Sequence, residues 1–418
     1  MYFWKRVVIP TKLVKLAYIL IILIFALIIY FHWNYNDDST RMEHYSPEMK
    51  QLSVTSGTLN ALNMSKDLKY ILRWINPKNG PVENGEGSRL FLTKKCPWKN
   101  CYLTDQSEIL NVFSNFRMVL FDGPDIEYFQ NSRKLPKRRS LNQKFVFVSG
   151  DSAASLPVCD ELWSNYFNWT WTYKLDSDLV WRYFLIKDNK GSIIGPKQDI
   201  NWIKIDNMTP VDSKFIMKLK SKQKIAAWFV SNCKTQSRRE EFVKELQTYL
   251  NEYQLEIDIY GACGKWSCPK GIMSKCLQIL ERDYYFYLAF ENSISEDFVT
   301  DIVLHALNHN TVPIVFGGAN YSCFLPEGAY LNAAEYGPEG LARRMFEIMR
   351  NPSVYQRFFR WKNHYSYHEP NESPETDNYC ALCAAANLKD FKSVSIKNNF
   401  NTWWTKDVKC PEEDLFPQ

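Results

Sequence analysis

The sequence has almost no basic surplus beyond its first 15 residues. The 418 residues include 51 Lys or Arg and 46 Asp or Glu, which gives a formal net charge of +5. Lys5, Arg6, Lys12 and Lys15 supply four of these charges, and no acidic residue precedes residue 16. The rest of the chain is therefore close to +1. This excludes a general nucleic-acid binder, because phosphate-driven affinity requires clustered basic side chains on the folded domain.

Phosphate-binding glycine motifs are also missing, and we expect no metal site. Neither G-x-G-x-x-G nor a P-loop lysine occurs between residues 284 and 318, which disfavours a dinucleotide dehydrogenase and a kinase. We interpret the C-x-x-C at Cys380 and Cys383 as disulfide cysteines in a chain with eleven cysteines, so we do not expect zinc there. Asp176 and Asp178 could hold a divalent ion, but we interpret them as turn residues. We expect no required metal cofactor, and we leave open that manganese stimulates activity without being held by the protein.

A long apolar run lies near the N-terminus. Leu16–Trp33 contains 18 residues without a formal charge, enough to cross about 27 Å of hydrocarbon at about 1.5 Å per residue. The run ends in aromatic residues and not in a small-residue cleavage site, so we expect it to be retained. We predict a cytosolic tail over residues 1–15, a transmembrane signal anchor over 16–33 and a polar stem over 34–66. The chain is then a single-pass type II protein of the Golgi membrane with its body in the lumen.

Cysteines and glycosylation sequons agree with a lumenal body. Eleven cysteines in an oxidising compartment predict disulfides, with one cysteine left free or paired between chains. The connectivity stays open. Sequons, which are usable only in the secretory pathway, begin at Asn63, Asn168, Asn207, Asn320 and Asn371. We favour Asn63 and Asn168 as the acceptors.

Apolar runs of strand length alternate with helical patterns, which predicts an α/β body. The predicted strands are Arg117–Asp122, Lys144–Ser149, Lys224–Ser231, Ile257–Tyr260, Tyr284–Phe290 and Val312–Phe316. Ser237–Leu250 has the spacing of a helix. A polar, Lys-rich stretch at residues 203–222 marks a boundary, so we predict domains over 67–220 and 221–370. The remaining residues, 371–418, form a disulfide-containing tail that we expect to pack back on the body.

The segment that follows Phe290 is the predicted ligand site. Ser293 and Glu296 form a capping box, which predicts a helix from there to Leu307. This helix lies between two predicted parallel strands, and parallel sheets bind ligands outside the carboxyl ends of their strands. We therefore expect residues 290–301 to line a site, with the helix N-terminus near Ser293 as an anion contact.

Two basic residues begin another helix on the same side of the predicted sheet. Arg238 and Arg239 open the helix of residues 237–250. Cations at a helix N-terminus oppose the helix dipole, so their position raises the case for an anion ligand. A solvated first turn is the alternative, and both stay open.

Several segments carry a resemblance to a known family. Phe286–Gly318, FYLAFENSISEDFVTDIVLHALNHNTVPIVFGG, resembles the signature of the α1,3-fucosyltransferases of glycosyltransferase family 10. It is joined in order by FNWTWTYKLDSDLVW, AAWFVSNC, IDIYGACG and YQRFFRWKNHY, so that the resemblance covers most of residues 115–385. It implies a GT-B fold, in which two Rossmann-like domains face a cleft. The first domain would bind mainly the acceptor, and the second would bind GDP-fucose.

The resemblance also implies roles for individual residues. The family's Glu-Ser-Pro aligns with Asp151-Ser152-Ala153, so Asp151 is the candidate general base, with Asp125 and Glu127 as fallbacks. Glu291 is expected to act in catalysis at the F-E-N tripeptide. The implied donor-binding residues are Arg238, Asn292, Phe298, Thr300, Asp301 and Tyr260.

Three positions depart from the family pattern. Asp151 is shorter than the usual glutamate, Phe298 replaces a common tyrosine, and Ile302 stands where a lysine is expected to meet the pyrophosphate. Losing one charge-assisted contact costs about 1.5–3 kcal/mol, which need not abolish turnover.

The expected function is inverting transfer of L-fucose from GDP-fucose, in α1,3 linkage, to GlcNAc of glycoprotein glycans. A noncatalytic relative that binds nucleotide or glycan is one alternative, motivated by Ile302 and Asp151. A type II lectin-like receptor, which needs no nucleotide site, is another. The sequence leaves open whether the acceptor is the innermost GlcNAc or an outer-arm Lewis-type unit, and whether the protein is a homodimer.

Overall fold

Two parallel β-sheets organise the chain. The computed structural model describes residues 67–74, 87–132, 135–136, 139–268, 273–392, 396–406, 408 and 410. These residues belong to one compact unit, residues 66–418. The strands are β1 Lys69–Trp74, β2 Cys101–Thr104, β3 Met118–Asp122, β4 Lys144–Ser149, β5 Trp169–Thr172, β6 Leu179–Val180, β7 Leu185–Asp188, β8 Ile193–Gly195, β9 Lys224–Phe229, β10 Ile257–Tyr260, β11 Tyr284–Phe290, β12 Val312–Phe316, β13 Leu331–Asn332 and β14 Tyr365–His368. The α-helices are α1 Arg89–Thr93, α2 Ile126–Ser132, α3 Ser213–Leu219, α4 Arg239–Glu252, α5 Met273–Asp283, α6 Leu304–Leu307, α7 Ala333–Arg350, α8 Pro352–Arg357, α9 Asn378–Ala386 and α10 Phe400–Trp404.

The first sheet has the strand order β2-β1-β3-β4-β5-β6, and every pair in it is parallel. All six residues of β4 are buried, which is why this strand reads as a continuous apolar run with no polar face. The second sheet has the order β10-β9-β11-β12-β13 and is also parallel. Its central strand β11 pairs on both sides, with Phe286 opposite Ala226 and Val312. The α/β prediction is therefore confirmed.

A small third sheet ties the middle of the chain to its later part. Its order is β14-β7-β8, with antiparallel pairs. Phe184, Ile186 and Met208 are buried in the same hydrophobic cluster as Ala227 and Tyr287 of the second sheet. Side chains from residues 184–208 therefore pack against the second sheet, while the domain boundary near residue 220 stays a prediction.

The C-terminal segment returns to the first sheet. Helix α9 is joined to the region around β2 by disulfides Cys96–Cys380 and Cys101–Cys383. Helix α10 packs on the other face, where the ring of Phe400 lies 4.7 Å from that of Phe147. The remaining disulfides are Cys159–Cys410, Cys233–Cys263 and Cys268–Cys276, and Cys323 is the free cysteine. The prediction of disulfides with one odd cysteine is confirmed.

The predicted tail, anchor and stem, together with Asn63, lie outside the described residues. Within the part of the chain that the structure describes, no helix is both long and apolar enough to cross a membrane. Asn207, Asn320 and Asn371 are exposed. Asn168 is only 7% exposed, and its Oδ1 accepts the backbone N–H of Phe145 at 2.9 Å. This burial argues against a glycan at Asn168, one of the two sites that the sequence favoured.

Candidate active site

Two loops meet at the carboxyl ends of the central strands. The β4 loop, Gly150–Ala154, follows the first-sheet strand β4, and the β11 loop, Glu291–Thr300, follows the second-sheet strand β11. Ser293 Oγ donates to Ser152 Oγ, and the N–H of Ala154 donates to Ser295 Oγ at 3.0 Å. The predicted base and the predicted donor segment are therefore brought to one junction.

The helix predicted to begin near Ser293 is not formed. The first helical residues are the 3₁₀ turn Asp301–Val303, followed by the short helix α6. Asp297 has φ 60°, which no α-helix contains, and the carboxylate of Glu296 pairs with lysines instead of returning to Ser293. The side chains of this loop thus bond across the junction instead of capping a helix; those that do so are Ser293, Ser295, Glu296 and Asp297. The predicted anion contact at that helix tip is wrong for the same reason.

Glu291 is buried at the start of the β11 loop. It is 4% exposed, and its Oε1 accepts the N–H of Thr300 at 2.7 Å. Burial raises the pKa of Glu291 to about 8, although hydrogen bonds from Thr300 and the charge of Arg239 act in the opposite direction. Its carboxyl group thus joins the first residue of the β11 loop to the last one, Thr300.

Arg238 lies next to the β11 loop. Ser237 donates its N–H to Asn292 O at 3.1 Å and its Oγ–H to Glu291 O at 2.8 Å. The guanidinium of Arg238 is 73% exposed and pairs with Glu241 of the same helix. Solvent screens an exposed ion pair of this kind, so the pair contributes little to stability and an anion at the junction can replace it. The backbone of residue 238 thus lies beside the β11 loop, and its side chain is exposed to solvent.

Asp151 is exposed at the rim of a cavity of about 540 Å³ on the first-sheet side. Aromatic side chains form one wall, with the rings of Trp171 and Trp181 4.8 Å apart and Tyr379 5.7 Å from Trp171. Carboxylates beside aromatic faces suit a neutral ligand that offers both hydroxyl groups and apolar ring faces. This cavity therefore has the chemistry of a sugar-binding site.

The fallback carboxylates occupy different positions. Asp125 is 4% exposed and lines the cavity, whereas Glu127 is exposed and is not among the lining residues. Asp122 also lines the cavity and pairs with Arg73 at 2.9 Å. Burial raises the pKa of Asp122, and the nearby guanidinium of Arg73 opposes that shift. Among the three carboxylates that line the cavity, Asp151 is the exposed one, and it is therefore the one most able to contact a substrate hydroxyl.

Tyr183 links the two halves of the site and was not predicted. Its hydroxyl donates to Gly150 O at 2.5 Å, directly before Asp151, and its ring centroid lies 6.3 Å from that of Phe298. Burial and the carboxylates of Asp151, Glu291 and Asp301 all raise the pKa of Tyr183, so these groups surround it. It lies two residues beyond the segment that carried the resemblance, and no spacing in the sequence points to it.

The other predicted donor residues divide into two sets. Asn292 and Thr300 are half-buried and Asp301 is exposed, so all three are accessible to a ligand. Phe298 is 4% exposed and fills the space between the rings of Tyr173 and Tyr183.

Tyr260 belongs with the packing residues. Its hydroxyl shares a 2.8 Å hydrogen bond with that of Tyr284, the first residue of β11. The side chain is 8% exposed and packs against Phe229 with 5.1 Å between ring centroids. As placed, both rings are inaccessible to a donor, because Phe298 is buried and Tyr260 is buried with its hydroxyl already hydrogen-bonded.

Further groups at the junction lack partners within the protein. Among the described residues, Asn292 Oδ1 and Tyr321 Oη are buried without a hydrogen bond. Such atoms are costly unless a ligand or water reaches them. A Cβ built on Gly318 would stand 2.8 Å from Ser295 N, so only glycine allows the backbone after β12 to approach the β11 loop. The Gly317-Gly318 pair after a predicted strand was the available sequence signal for this approach.

No metal centre is visible in the described part of the chain: no group of three or more His, Cys, Asp or Glu residues there could hold an ion. Asp178 Oδ2 accepts the N–H and hydroxyl of Thr170, both at 2.9 Å. Asp176 Oδ2 accepts the indole N–H of Trp403 at 2.8 Å. Both carboxylates therefore have structural partners.

Comparison with known sequence families matches both halves of the chain. Residues 66–184 match the family described as "Fucosyltransferase, N-terminal", and residues 219–403 match "Glycosyltransferase family 10 (fucosyltransferase) C-term". Alpha-(1,3)-fucosyltransferase C of Drosophila melanogaster is 33% identical over 317 residues, which are 74% of this chain and 70% of that protein. Glycoprotein 3-alpha-L-fucosyltransferase A of the same organism is 29% identical over 373 residues, 87% of this chain and 65% of that protein.

Among solved structures, the chain is similar to an alpha1,3-fucosyltransferase crystallised with GDP-fucose. The sequence identity is 12% and the TM-score is 0.44, over 82% of this chain and 94% of that one.

Proposed function

Because the chain belongs to glycosyltransferase family 10, the fucosyltransferases, we propose that it transfers L-fucose from GDP-fucose to GlcNAc of glycoprotein glycans in α1,3 linkage. One observation carries the proposal. Two loops meet at the carboxyl ends of β4 in the first sheet and β11 in the second. One is the β4 loop, which carries the exposed carboxylate of Asp151, and the other is the β11 loop, which lies beside Arg238. An acceptor hydroxyl and a nucleotide diphosphate could thus be held within one cleft.

The proposed reaction is a single displacement with inversion. Asp151 accepts the proton of the acceptor hydroxyl, whose oxygen attacks the anomeric carbon of fucose as the bond to the β-phosphate oxygen breaks. The developing sugar cation resembles the transition state of glycoside hydrolysis, and GDP departs with the bonding electrons. The hydrogen bond from Tyr183 to Gly150 O holds the backbone that presents Asp151.

Negative charge grows on the β-phosphate during this step. Arg238 is the proposed cation for it, reached by exchanging the exposed Glu241 carboxylate for phosphate oxygen. Contacts that strengthen as charge develops lower the barrier more than contacts that bind substrate equally well throughout. Asn292, Thr300 and Asp301 would bind the rest of the nucleotide. The cavity with Trp171 and Trp181 would take the acceptor sugar.

We place the working protein in the Golgi membrane as a type II protein anchored by residues 16–33, with its body in the lumen. Disulfides in the described chain are compatible with that oxidising compartment. No metal cofactor is part of the proposal, and manganese stimulation and a homodimer are left to experiment.

The test is the full chain, purified in detergent, incubated with GDP-fucose and a panel of N-glycan and Lewis-type acceptors. Mass spectrometry with linkage analysis should find fucose on position 3 of GlcNAc, and NMR should find an anomeric configuration opposite to that of the donor. GDP binding without any product would support a noncatalytic relative. Absence of both GDP binding and product would support a lectin-like receptor.

A further inference from the structure

Glu296 lies in the middle of the β11 loop and is paired with two lysines from other parts of the chain. Its Oε2 lies 3.2 Å from Lys174 Nζ, and its Oε1 lies 2.8 Å from Lys406 Nζ. Lys174 follows β5 of the first sheet, whereas Lys406 lies just beyond helix α10. One carboxylate therefore connects the β11 loop to the first sheet and to the C-terminal segment.

The lysine on the first-sheet side makes this pair costly to disturb. The side chain of Lys174 is 3% exposed, and its ammonium also donates to Trp403 O at 2.9 Å and lies 5.0 Å from the Trp403 ring centre. A buried ammonium is tolerated when an anion compensates it. Glu296 is the carboxylate in salt-bridge contact with Lys174, so its position follows from that of the buried charge.

The next residue of the loop is fixed to the same place. Asp297 Oδ2 accepts the N–H of Leu175 at 3.1 Å. Its left-handed backbone, φ 60°, is unfavourable for a residue with a Cβ and persists only where surrounding contacts hold it. Two successive residues of the loop are thus bound to Lys174-Leu175.

The C-terminal segment, residues 396–406, supports this arrangement from outside. Trp403 donates its indole N–H to Asp176 at 2.8 Å. The ammonium of Lys397 lies 4.1 Å from the centre of the Trp403 ring. Trp404 donates its indole N–H to Leu156 O at 2.8 Å. Beyond Lys406, the disulfide Cys159–Cys410 attaches the segment to the first half.

We propose that Glu296 is a positioning residue for fucosyl transfer: paired with Lys174 and Lys406, it holds the β11 loop in the shape that presents Asn292, Thr300 and Asp301 to the donor. This inference rests on the proposed function. With residues 296 and 297 held, Phe298 enters the space between Tyr173 and Tyr183, and the N–H of Thr300 reaches Glu291. Glu296 itself contacts no substrate in this account.

Glu296→Gln tests the proposal, because it keeps the shape of the side chain and removes the charge. We expect the KM for GDP-fucose to rise, with kcat/KM falling about 10- to 100-fold, as a small misplacement of binding groups produces. Hydrogen exchange of the full chain should show faster exchange at residues 293–300. Glu256→Gln, which breaks the exposed pair with Lys265, is the matched control and should change neither quantity.

Lys174→Met with Glu296→Gln keeps the test decisive if the single variant folds poorly. The double variant removes the uncompensated buried charge, so its thermal stability should recover while the KM for GDP-fucose stays high. If activity falls while the KM for GDP-fucose is unchanged, the variant merely contains less folded enzyme. That result would overturn the positioning role. Unchanged exchange at residues 293–300 would also overturn it. If the wild-type chain shows no turnover, the exchange result still decides the role of Glu296, and only the proposed function fails.

Discussion

The two carboxylates predicted to act in catalysis differ in their surroundings. Asp151 is exposed beside a cavity, whereas Glu291 is buried and bound to Thr300. A general base must reach the hydroxyl that it deprotonates, and an exposed carboxylate can do so. A buried acid that closes a loop acts instead through the geometry of that loop. At the scale of single residues, burial thus separates two roles that residue type leaves undistinguished.

Replacing Asp151 with Asn should remove the base and keep the fold. We expect kcat to fall about 10²- to 10⁴-fold, the usual contribution of general base catalysis, with GDP affinity unchanged. Steady-state kinetics and GDP titration measure the two effects. Asp125→Asn is the comparison: a larger loss of kcat in that variant, at equal stability, would transfer the role of base to Asp125.

Arg238→Met should weaken donor use without weakening the fold. The exposed pair with Glu241 contributes little to stability because solvent screens it, whereas a phosphate contact with the guanidinium is charge-assisted. We therefore expect kcat/KM for GDP-fucose to fall roughly 10- to 150-fold, with little change in Tm. Arg344→Met breaks a similar exposed pair, with Glu347, and should leave kinetics unaltered. Equal kinetics in the two variants would place the diphosphate elsewhere.

The pH dependence of stability should report Glu291. Burial raises its pKa from the ordinary 4.5 to about 8, so the folded state holds a proton that the unfolded chain releases. This contribution is complete below about pH 4.5 and is lost as the pH rises through about 8. We expect Tm to decrease between about pH 4.5 and about pH 8 and to level off above that range. Glu291→Gln should flatten that decrease, and Glu347→Gln should not; an unchanged slope in the first variant would assign the effect to other groups.

At the scale of elements, the β11 loop shows how tertiary bonds replace a local pattern. Ser293 and Glu296 have the spacing of a capping box, but their side chains bond to Ser152 and to two lysines. A cap is worth about 1 kcal/mol, and compensating a buried ammonium is worth more. The strands were predicted well for the complementary reason: β4 and β11 are buried on both faces, so packing and local pattern agree.

Helix α9 is held to the first sheet by two neighbouring disulfides, Cys96–Cys380 and Cys101–Cys383. Each closes nearly the same long loop, so either one alone removes most of the entropy of the unfolded chain. Replacing one pair with Ser should therefore cost little, whereas replacing both should cost about 2–5 kcal/mol. Thermal unfolding of the three variants measures this. A full loss on removing either pair alone would mean that native packing, and not loop closure, carries the effect.

At the scale of the whole molecule, the β4 loop of the first sheet contacts the β11 loop of the second sheet. A nucleotide bound at this contact should therefore stabilise the entire unit. GDP at about 100 times its Kd should add about 2.7 kcal/mol to the free energy of unfolding. The rise in Tm should persist in EDTA, because the proposed cation is a guanidinium. Thermal unfolding with GDP, with and without chelator, is the measurement, and AMP serves as the control ligand. Loss of the GDP effect in EDTA would show that a metal ion is required.

The α/β class, the bounds of the central strands and the family could all be predicted from the sequence, because they depend on apolar runs and local motifs. The sequence also placed Asp151 and the backbone of Arg238 at strand ends, where a parallel sheet presents ligand-binding loops. The remaining features follow from tertiary contacts. These contacts bury Asn168, Phe298 and Tyr260, and they bring Tyr183, Lys174 and Lys406 to the β11 loop. These outcomes depend on contacts between residues distant in the chain, whose energies exceed the local preferences that a sequence pattern records.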